Sequence, residues 1–307
     1  MRYVVGYIAN ARGHDAVNLA VSLARGRGAA LDLVVVVPEV QQFGAAHAPR
    51  AGFENVLHEQ AQEWLDEALA LVPSDVPATV HIRTGDSDAH TLIEAAEELG
   101  ADLLVIGATS GGIFKRFTIG SLASALLHAS TVPVALAPHG YYRQEALTRI
   151  SCGLGTRVGA EKLLDFALGM AANREVPLRV VSLLALDGGA EGDAAEATGA
   201  AREYAEKHLA AALPGGQPEV RAGTKTEVVV AHGRSIEEAV DRLEWEAGEV
   251  LLIGSSRLAT SRSIFLGSTA NRILRALPVP MIVVPSDYEL KQLNHSASND
   301  TSREAQS

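Results

Sequence analysis

Landmarks in this chain return at a fixed distance of 147 residues, and that distance decides most of what the chain can fold into. Gly6 closes a YVVG run and Gly153 an ISCG run (153 − 6 = 147). The same spacing relates Asp102 to Glu249, Gly107 to Gly254, Gly120-Ser121 to Gly267-Ser268 and Val132-Pro133 to Val279-Pro280. Gly85 and Gly233 stand 148 apart (233 − 85), so one residue is gained before that point and lost after it. Solenoid units repeat every ~20–50 residues, whereas this period is the length of a whole domain. The chain therefore reads as two copies of one domain in tandem. Its 307 residues agree, because single cores stop growing at roughly 250–300 residues. The expected domains are residues 1–140 and 148–288. Between them Pro138-His139-Gly140-Tyr141-Tyr142-Arg143 breaks the strand pattern. Residues 289–307, polar and without apolar periodicity, are expected to form a disordered tail.

Each copy alternates strand and helix. In the first, Tyr3 to Ile8 and Leu31 to Val37 are short apolar runs without polar alternation, the pattern of strands buried on both faces. Val17, Ala20, Val21 and Ala24 fall at helical spacing. So do Phe53, Val56, Leu57, Ala61, Trp64, Leu65, Ala68 and Leu69. Thr79 to Thr84, Leu103 to Ile106 and Val134 to Ala137 complete five strands; Leu92 to Leu99 and Leu122 to Ala129 complete the helices. The second copy repeats the order, and Ser235-Ile236-Glu237-Glu238 forms a capping box in it. Strands alternating with helices predict a parallel sheet covered on both faces. Ligands of such sheets sit beyond the carboxyl ends of the strands, where strand order reverses. Pro133 and Pro280 open the last strands and suit edge positions, so the two copies are expected to cover each other's edge by pairing those strands.

The formal charge of −11 opposes phosphate backbones and anionic lipid, so neither nucleic acid nor membrane is an expected partner. The one cysteine, Cys152, makes no internal disulfide and suits a reducing compartment; inside an apolar run it reads as a buried, inert thiol. Met1-Arg2 leads straight into a strand pattern, and runs such as Leu33 to Val37 are too short to span a bilayer. The expected location is the cytoplasm.

The chemical signal lies between Gly107 and Ser121. A buried strand runs into glycines and then into a helix that starts at Gly120-Ser121. Amides there are unpaired and the helix dipole favours an anion, with Lys115 and Arg116 at hand. The structural alternative is a plain connection with Ser121 as N-cap. A strand, Gly107, two residues, Ser110 in the place of a second glycine, nine residues, Gly120-Ser121, a helix and a Val132-Pro133 strand resemble the nucleotide-binding stretch of universal stress proteins. So do Thr84-Gly85-Asp86 and the following Ile-Glu-Ala-Ala-Glu-Glu-Leu-Gly-Ala-Asp run. The resemblance covers nearly all of both copies. It implies two tandem flavodoxin-like, Rossmann-like domains, each a five-stranded parallel sheet of order 3-2-1-4-5 with helices on both faces. Family members commonly dimerise through the last strand, which a tandem chain mimics internally; a homo-oligomer is compatible with this.

The implied function is a stress-response protein that holds ATP or another adenine nucleotide, with no other cofactor. The implied site residues are Val37, Gly107, Ser110, Gly111, Gly120 and Ser121 in the first copy, and Gly254, Arg257, Gly267 and Ser268 in the second. The first copy keeps more of the glycine pattern and is the expected site. Ser110 and Arg257 replace the second motif glycine. An aspartate that ATP-binding members carry near the end of strand one falls on Ile8 and Gly155, neither of which accepts a hydrogen bond through its side chain. Those departures favour an alternative, a nucleotide-free interaction module. Slow nucleotide hydrolysis ranks last, because no residue is placed as a general base or metal ligand.

Other motifs carry less. Gly153-Leu154-Gly155-Thr156-Arg157-Val158-Gly159 imitates a dinucleotide fingerprint, but its last glycine comes one residue late. His14-Asp15 opens a helix and reads as capping; His58, His128 and His208 lie on helical segments without metal-ligand spacing. Glu97-Glu98 and Glu237-Glu238 are adjacent helix positions that do not face each other.

Overall fold

The computed structural model describes residues 1–39, 50–109, 120–155, 160–186, 191–213, 225–255, 267–286 and 288. The first half contains β1 (Arg2–Gly6), α1 (Ala11–Ala24), β2 (Ala30–Pro38), α2 (Arg50–Ala70), β3 (Ala78–Gly85), α3 (Asp88–Glu98), β4 (Leu103–Gly107), α4 (Ser121–Ala129) and β5 (Val134–Ala137). The second contains β6 (Arg149–Gly153), α5 (Ala160–Ala172), β7 (Leu178–Ala185), α6 (Glu191–Ala212), β8 (Thr226–Gly233), α7 (Ile236–Asp241), β9 (Glu249–Gly254), α8 (Ser268–Ala276) and β10 (Met281–Val284). Among the described residues no helix is long and apolar enough to cross a membrane.

The ten strands form one sheet in the order β3-β2-β1-β4-β5-β10-β9-β6-β7-β8. Pairing is parallel within each half and antiparallel at the seam, where Leu136 faces Met281 and Val134 faces Val283. The order 3-2-1-4-5 thus recurs in both halves, but two separate five-stranded sheets do not: the result is one mixed sheet. The physical reason is the edge, since an unpaired row of N–H and C=O groups on β5 and on β10 finds its complement in the other copy.

Alternate residues on the strands feed two apolar layers. Val5, Leu31, Leu33 and Val35 point toward α1 and α2, and on the same side Cys152, Val180 and Leu252 meet α5 and α6. Val4, Val34, Leu104 and Ile106 point the other way, toward α3 and α4, and that layer continues into α7 and α8. Both layers cross the seam, so the halves share their core. Cys152 is fully buried, and burial pushes its thiol up to about 12.

Several local expectations need correction. α1 is capped by Asn10, whose side chain accepts from the amides of Arg12 at 3.0 Å and Gly13 at 3.4 Å, not by His14-Asp15. His14 instead meets Glu67 at 2.9 Å, and Asp15 accepts from the Gly140 amide at 3.0 Å. On α2, Ala61, Leu65 and Ala68 are buried, while Val56 and Leu69 are 60% and 41% exposed. The stripe is narrower than the sequence pattern because α2 covers β2 and β3 alone, near the end of the sheet. In the capping box of α7, Ser235 accepts from the Glu238 amide at 3.2 Å, but the Glu238 carboxylate takes the amide of Arg234 at 2.9 Å, one residue before the expected donor.

Charge is buried at the amino ends of the strands, and the two halves do it with opposite polarity. Asp32 on β2 is fully buried and accepts from Arg2 Nε at 2.9 Å and His81 Nε2 at 2.8 Å. The residue 147 positions later, Arg179 on β7, is a cation; it donates to the fully buried Glu249 at 2.6 Å, as does Arg149 at 2.6 Å, while Ser151 also bonds to that carboxylate. Arg179 also lies over the Trp245 ring at 4.7 Å. The segment between the halves runs along α1: Asn18 Nδ2 donates to the Tyr141 carbonyl at 3.0 Å, Ser22 to the Glu145 carbonyl at 2.7 Å and Arg25 to the Gln144 carbonyl at 2.8 Å.

Candidate functional site

In each half the strand order reverses between the first strand and the fourth, so the carboxyl ends of β1 and β4, and of β6 and β9, frame a crevice. β1 ends at Gly6, and the Tyr7 amide still donates to the Val34 carbonyl at 2.9 Å. The turn then closes sharply, with the Asn10 amide donating to the Ile8 carbonyl at 2.7 Å. Ile8 is left 39% exposed at the mouth. β2 runs past the end of β1 as far as Pro38, which sets buried Val37 beside the crevice. Gly107 ends β4 under the first turn of α1, where a Cβ would collide with the Arg12 carbonyl.

Of the helices that begin at this end of the sheet, α1 and α4 follow the two strands that frame the crevice, and they differ. The Asn10 side chain already occupies first-turn amides of α1. α4 begins at an N-cap glycine, Gly120, with φ −73° and ψ 171° and no side-chain cap, so its first turn offers donors to an outside acceptor. Ser121 is exposed in the first helical position and is not the cap. A Cβ on Gly120 would stand 2.9 Å from Thr109 Cγ2, so the chain that leaves β4 and the chain that enters α4 lie side by side. The second half repeats the feature: Gly267 caps α8 with φ −69° and ψ 168°, again without a side-chain bond, and Ser268 follows it.

Gly107, Gly120, Ser121 and Val37 therefore gather at one end of the first half, and Gly254, Gly267 and Ser268 at the equivalent end of the second. Ser110, Gly111 and Arg257, with Lys115, Arg116 and Arg262, lie outside the described residues. In the second half Gly155 and Gly254 are exposed, and among the described residues the nearest atom to a Cβ on Gly254 is Leu163 Cδ2 at 3.7 Å. The Ser255 hydroxyl beside it is buried and, among the described residues, has no hydrogen-bond partner.

Asn10 escaped the sequence reading, although an Asn before an apolar-periodic run is itself an N-cap signal. So did Tyr7, which stacks on His14 with ring centroids 6.2 Å apart; burial, then the Glu67 carboxylate, push its phenol up to about 12. A further repeat also went unread: Tyr141 and Tyr288 are 147 apart (288 − 141), and each donates its amide to the proline three residues earlier at 3.2 Å.

The family model of the universal stress protein family matches this chain twice, over residues 1–138 and 147–285. A universal stress protein of Mycobacterium tuberculosis is 32% identical over 300 residues, which span 93% of this chain and 100% of the relative. Among solved structures, a universal stress protein from Archaeoglobus fulgidus superposes with a TM-score of 0.67 at 17% identity, covering 93% of this chain and 98% of the other. A protein of unknown function from Pseudomonas aeruginosa does so with a TM-score of 0.57 at 16% identity over 92% of each chain. Matched over both halves and along almost its full length, the chain belongs to the universal stress protein family, as a tandem pair of its domains.

Proposed function

We propose that this protein holds an adenine nucleotide such as ATP at the carboxyl end of the first half, with the phosphates on the first turn of α4 and the nucleoside against Ile8 and Val37. The observation that carries the reading is the glycine N-cap. Of the two helices that follow the strands framing the crevice, α1 is sealed by Asn10, whereas α4 opens on Gly120, which has no side chain to cap it. Unpaired amides and the positive end of the helix dipole favour a phosphate. Exposed Ile8 and buried Val37 supply apolar surface for a base where other members use an aspartate. The reading contains no catalytic step: the residues at this end bind and orient.

The test is calorimetric titration of the purified chain with ATP, together with analysis of small molecules released on denaturation. Saturable binding is expected, and Ser121→Asp is expected to abolish it. That variant places an acid at an exposed helix N-terminus, where it supports the helix by roughly 0.3–1 kcal/mol, so loss of binding comes with an intact fold. No binding at millimolar ATP and no released nucleotide reject the reading and favour the nucleotide-free interaction module, which the apolar Ile8 side chain at the mouth also suits.

A further inference from the structure

The sheet ends in β3 on one side and β8 on the other. Pairing to the inner neighbour shows which backbone groups of these strands face outward. At the start of β3 the Pro77 carbonyl accepts from the Leu31 amide at 2.8 Å; around β8 the Lys225 and Gly233 carbonyls accept from Leu178 and Leu186 at 2.9 and 2.8 Å. Successive residues of a parallel strand turn their amide and carbonyl to opposite sides. Ala78, Val80, Ile82 and Thr84 therefore face out on β3, and Val228, Val230 and His232 on β8.

The β8 edge is guarded. Arg202 on α6 donates to the Val228 carbonyl at 3.1 Å, and Arg242 at the end of α7 donates to the His232 carbonyl at 2.7 Å. The first half lacks both guards. Buried Ala61 and Leu65 on α2 match buried Ala205 and Leu209 on α6 at a spacing of 144, which puts exposed His58 in the place of Arg202 (202 − 58). Gly85 and Gly233 are 148 apart, which puts Glu94 in the place of Arg242 (242 − 94). A carboxylate cannot donate to a carbonyl, and Glu94 pairs with His90 at 3.1 Å. Among the described residues nothing bonds to the outward backbone groups of Val80, Ile82 or Thr84. An open edge of this kind is a template for another strand. The flank of α2 beside it is uncharged. Glu67 meets His14 of α1 and so marks the flank toward the middle of the sheet. By helical spacing the opposite flank carries His58, Gln62 and Leu69, all exposed.

We propose that the β3 edge is an interface on which a second copy of this chain adds its own β3, antiparallel, across a twofold axis at His81. In that register Val80 faces Ile82 and Ala78 faces Thr84, so every outward residue meets an outward residue. Arg83 faces Thr79 and not another cation. The chain already closes its β5 and β10 edges in this way, by antiparallel pairing of equivalent strands, and the joined sheet continues that interface through both copies. Pairing β3 with β3 closes after two chains, whereas pairing β3 with the guarded β8 would repeat without end. The partner also covers Ala78, Val80 and Ile82, whose apolar side chains are only partly buried under α2, and brings its own α2 beside Leu69.

The experiment is sedimentation velocity of the full chain over a range of protein concentrations. It is run at ~0.15 M salt, where repulsion between two chains of net charge −11 is largely screened. A monomer–dimer equilibrium is expected. Val80→Pro removes an outward N–H, which an edge strand tolerates, and is expected to leave a folded monomer. His58→Arg combined with Glu94→Arg restores the guards of the second half at two exposed positions. This double variant is expected to weaken the dimer roughly tenfold or more, the scale of two hydrogen bonds given up on pairing, and it decides the matter even if Val80→Pro does not fold. Val230→Pro, the matching change on β8, is expected to leave the dimer unchanged. A chain that stays monomeric at its highest soluble concentration overturns the proposal, even if it captures a strand of another protein. So does a dimer that the double variant leaves at full strength.

Discussion

Gly107, the last residue of β4, packs so closely beneath the carbonyl oxygen of Arg12 that a side chain of a single carbon would overlap it. The obstacle is backbone in the first turn of a capped helix and cannot swing aside. Gly107→Ala is therefore expected to destabilise the fold by roughly 1–3 kcal/mol, the usual range for overpacking. The equivalent Gly254→Ala, with its nearest described neighbour at 3.7 Å, is expected to stay within about 0.5 kcal/mol. Urea unfolding of the two variants measures this, and equal losses would contradict it.

Glu249 is buried between two arginines, so its charge holds a cluster rather than a pair. Glu249→Gln keeps the shape and leaves two guanidinium groups facing a neutral amide. The expected loss is about 3–5 kcal/mol, as when one partner of a buried ion pair is removed. A shift of the urea midpoint worth less than about 1 kcal/mol would mean that water screens the cluster as it does a surface pair.

Glu237 on α7 is gripped by Arg272 on α8 at 2.9–3.1 Å, and this bond above all holds its carboxyl down at about 2. A carboxyl depressed on folding adds stability that is present above its unfolded value, ~4.3, and is lost as pH falls toward 2. Both side chains are more than a third exposed, so the contribution is expected to be under about 1 kcal/mol. Wild type should exceed Glu237→Gln by this margin at pH 7, and the gap should close between about pH 4.3 and pH 2. A gap that persists at pH 2 would sink the assignment.

Cys152 lies on β6, one residue before its end, with its thiol pushed up to about 12 by burial. At pH 8 a thiol reagent is expected to label the chain only as fast as the chain unfolds, with full labelling in concentrated urea. Rapid labelling of the folded protein would show an accessible thiolate.

The sequence made the doubled architecture legible because glycines at strand ends and prolines at strand starts answer to local backbone demands that recur in both copies. Gly107 and Gly254, Pro133 and Pro280 mark them. What stayed hidden depends on tertiary neighbours. Val56 and Leu69 fit a helical stripe but face water, because only β2 and β3 lie beneath α2. Arg179 and Glu249 lie 70 residues apart (249 − 179) and meet only because β6, β7 and β9 pair side by side. At the candidate site Gly120 was read as a helix start, but that its own helix would lack a cap while Asn10 sealed α1 was a matter of side-chain direction, which spacing alone does not reveal.

The antiparallel seam between β5 and β10 has an evolutionary corollary. Two identical subunits that meet across a twofold axis must each present a patch that fits its own copy, so a substitution on one side is imposed on the other. Fusion into one polypeptide lifts that constraint, and each half is free to drift alone. Asp32 facing the place of Arg179 is the outcome: one ancestral position now carries opposite signs, a divergence closed to a symmetric pair.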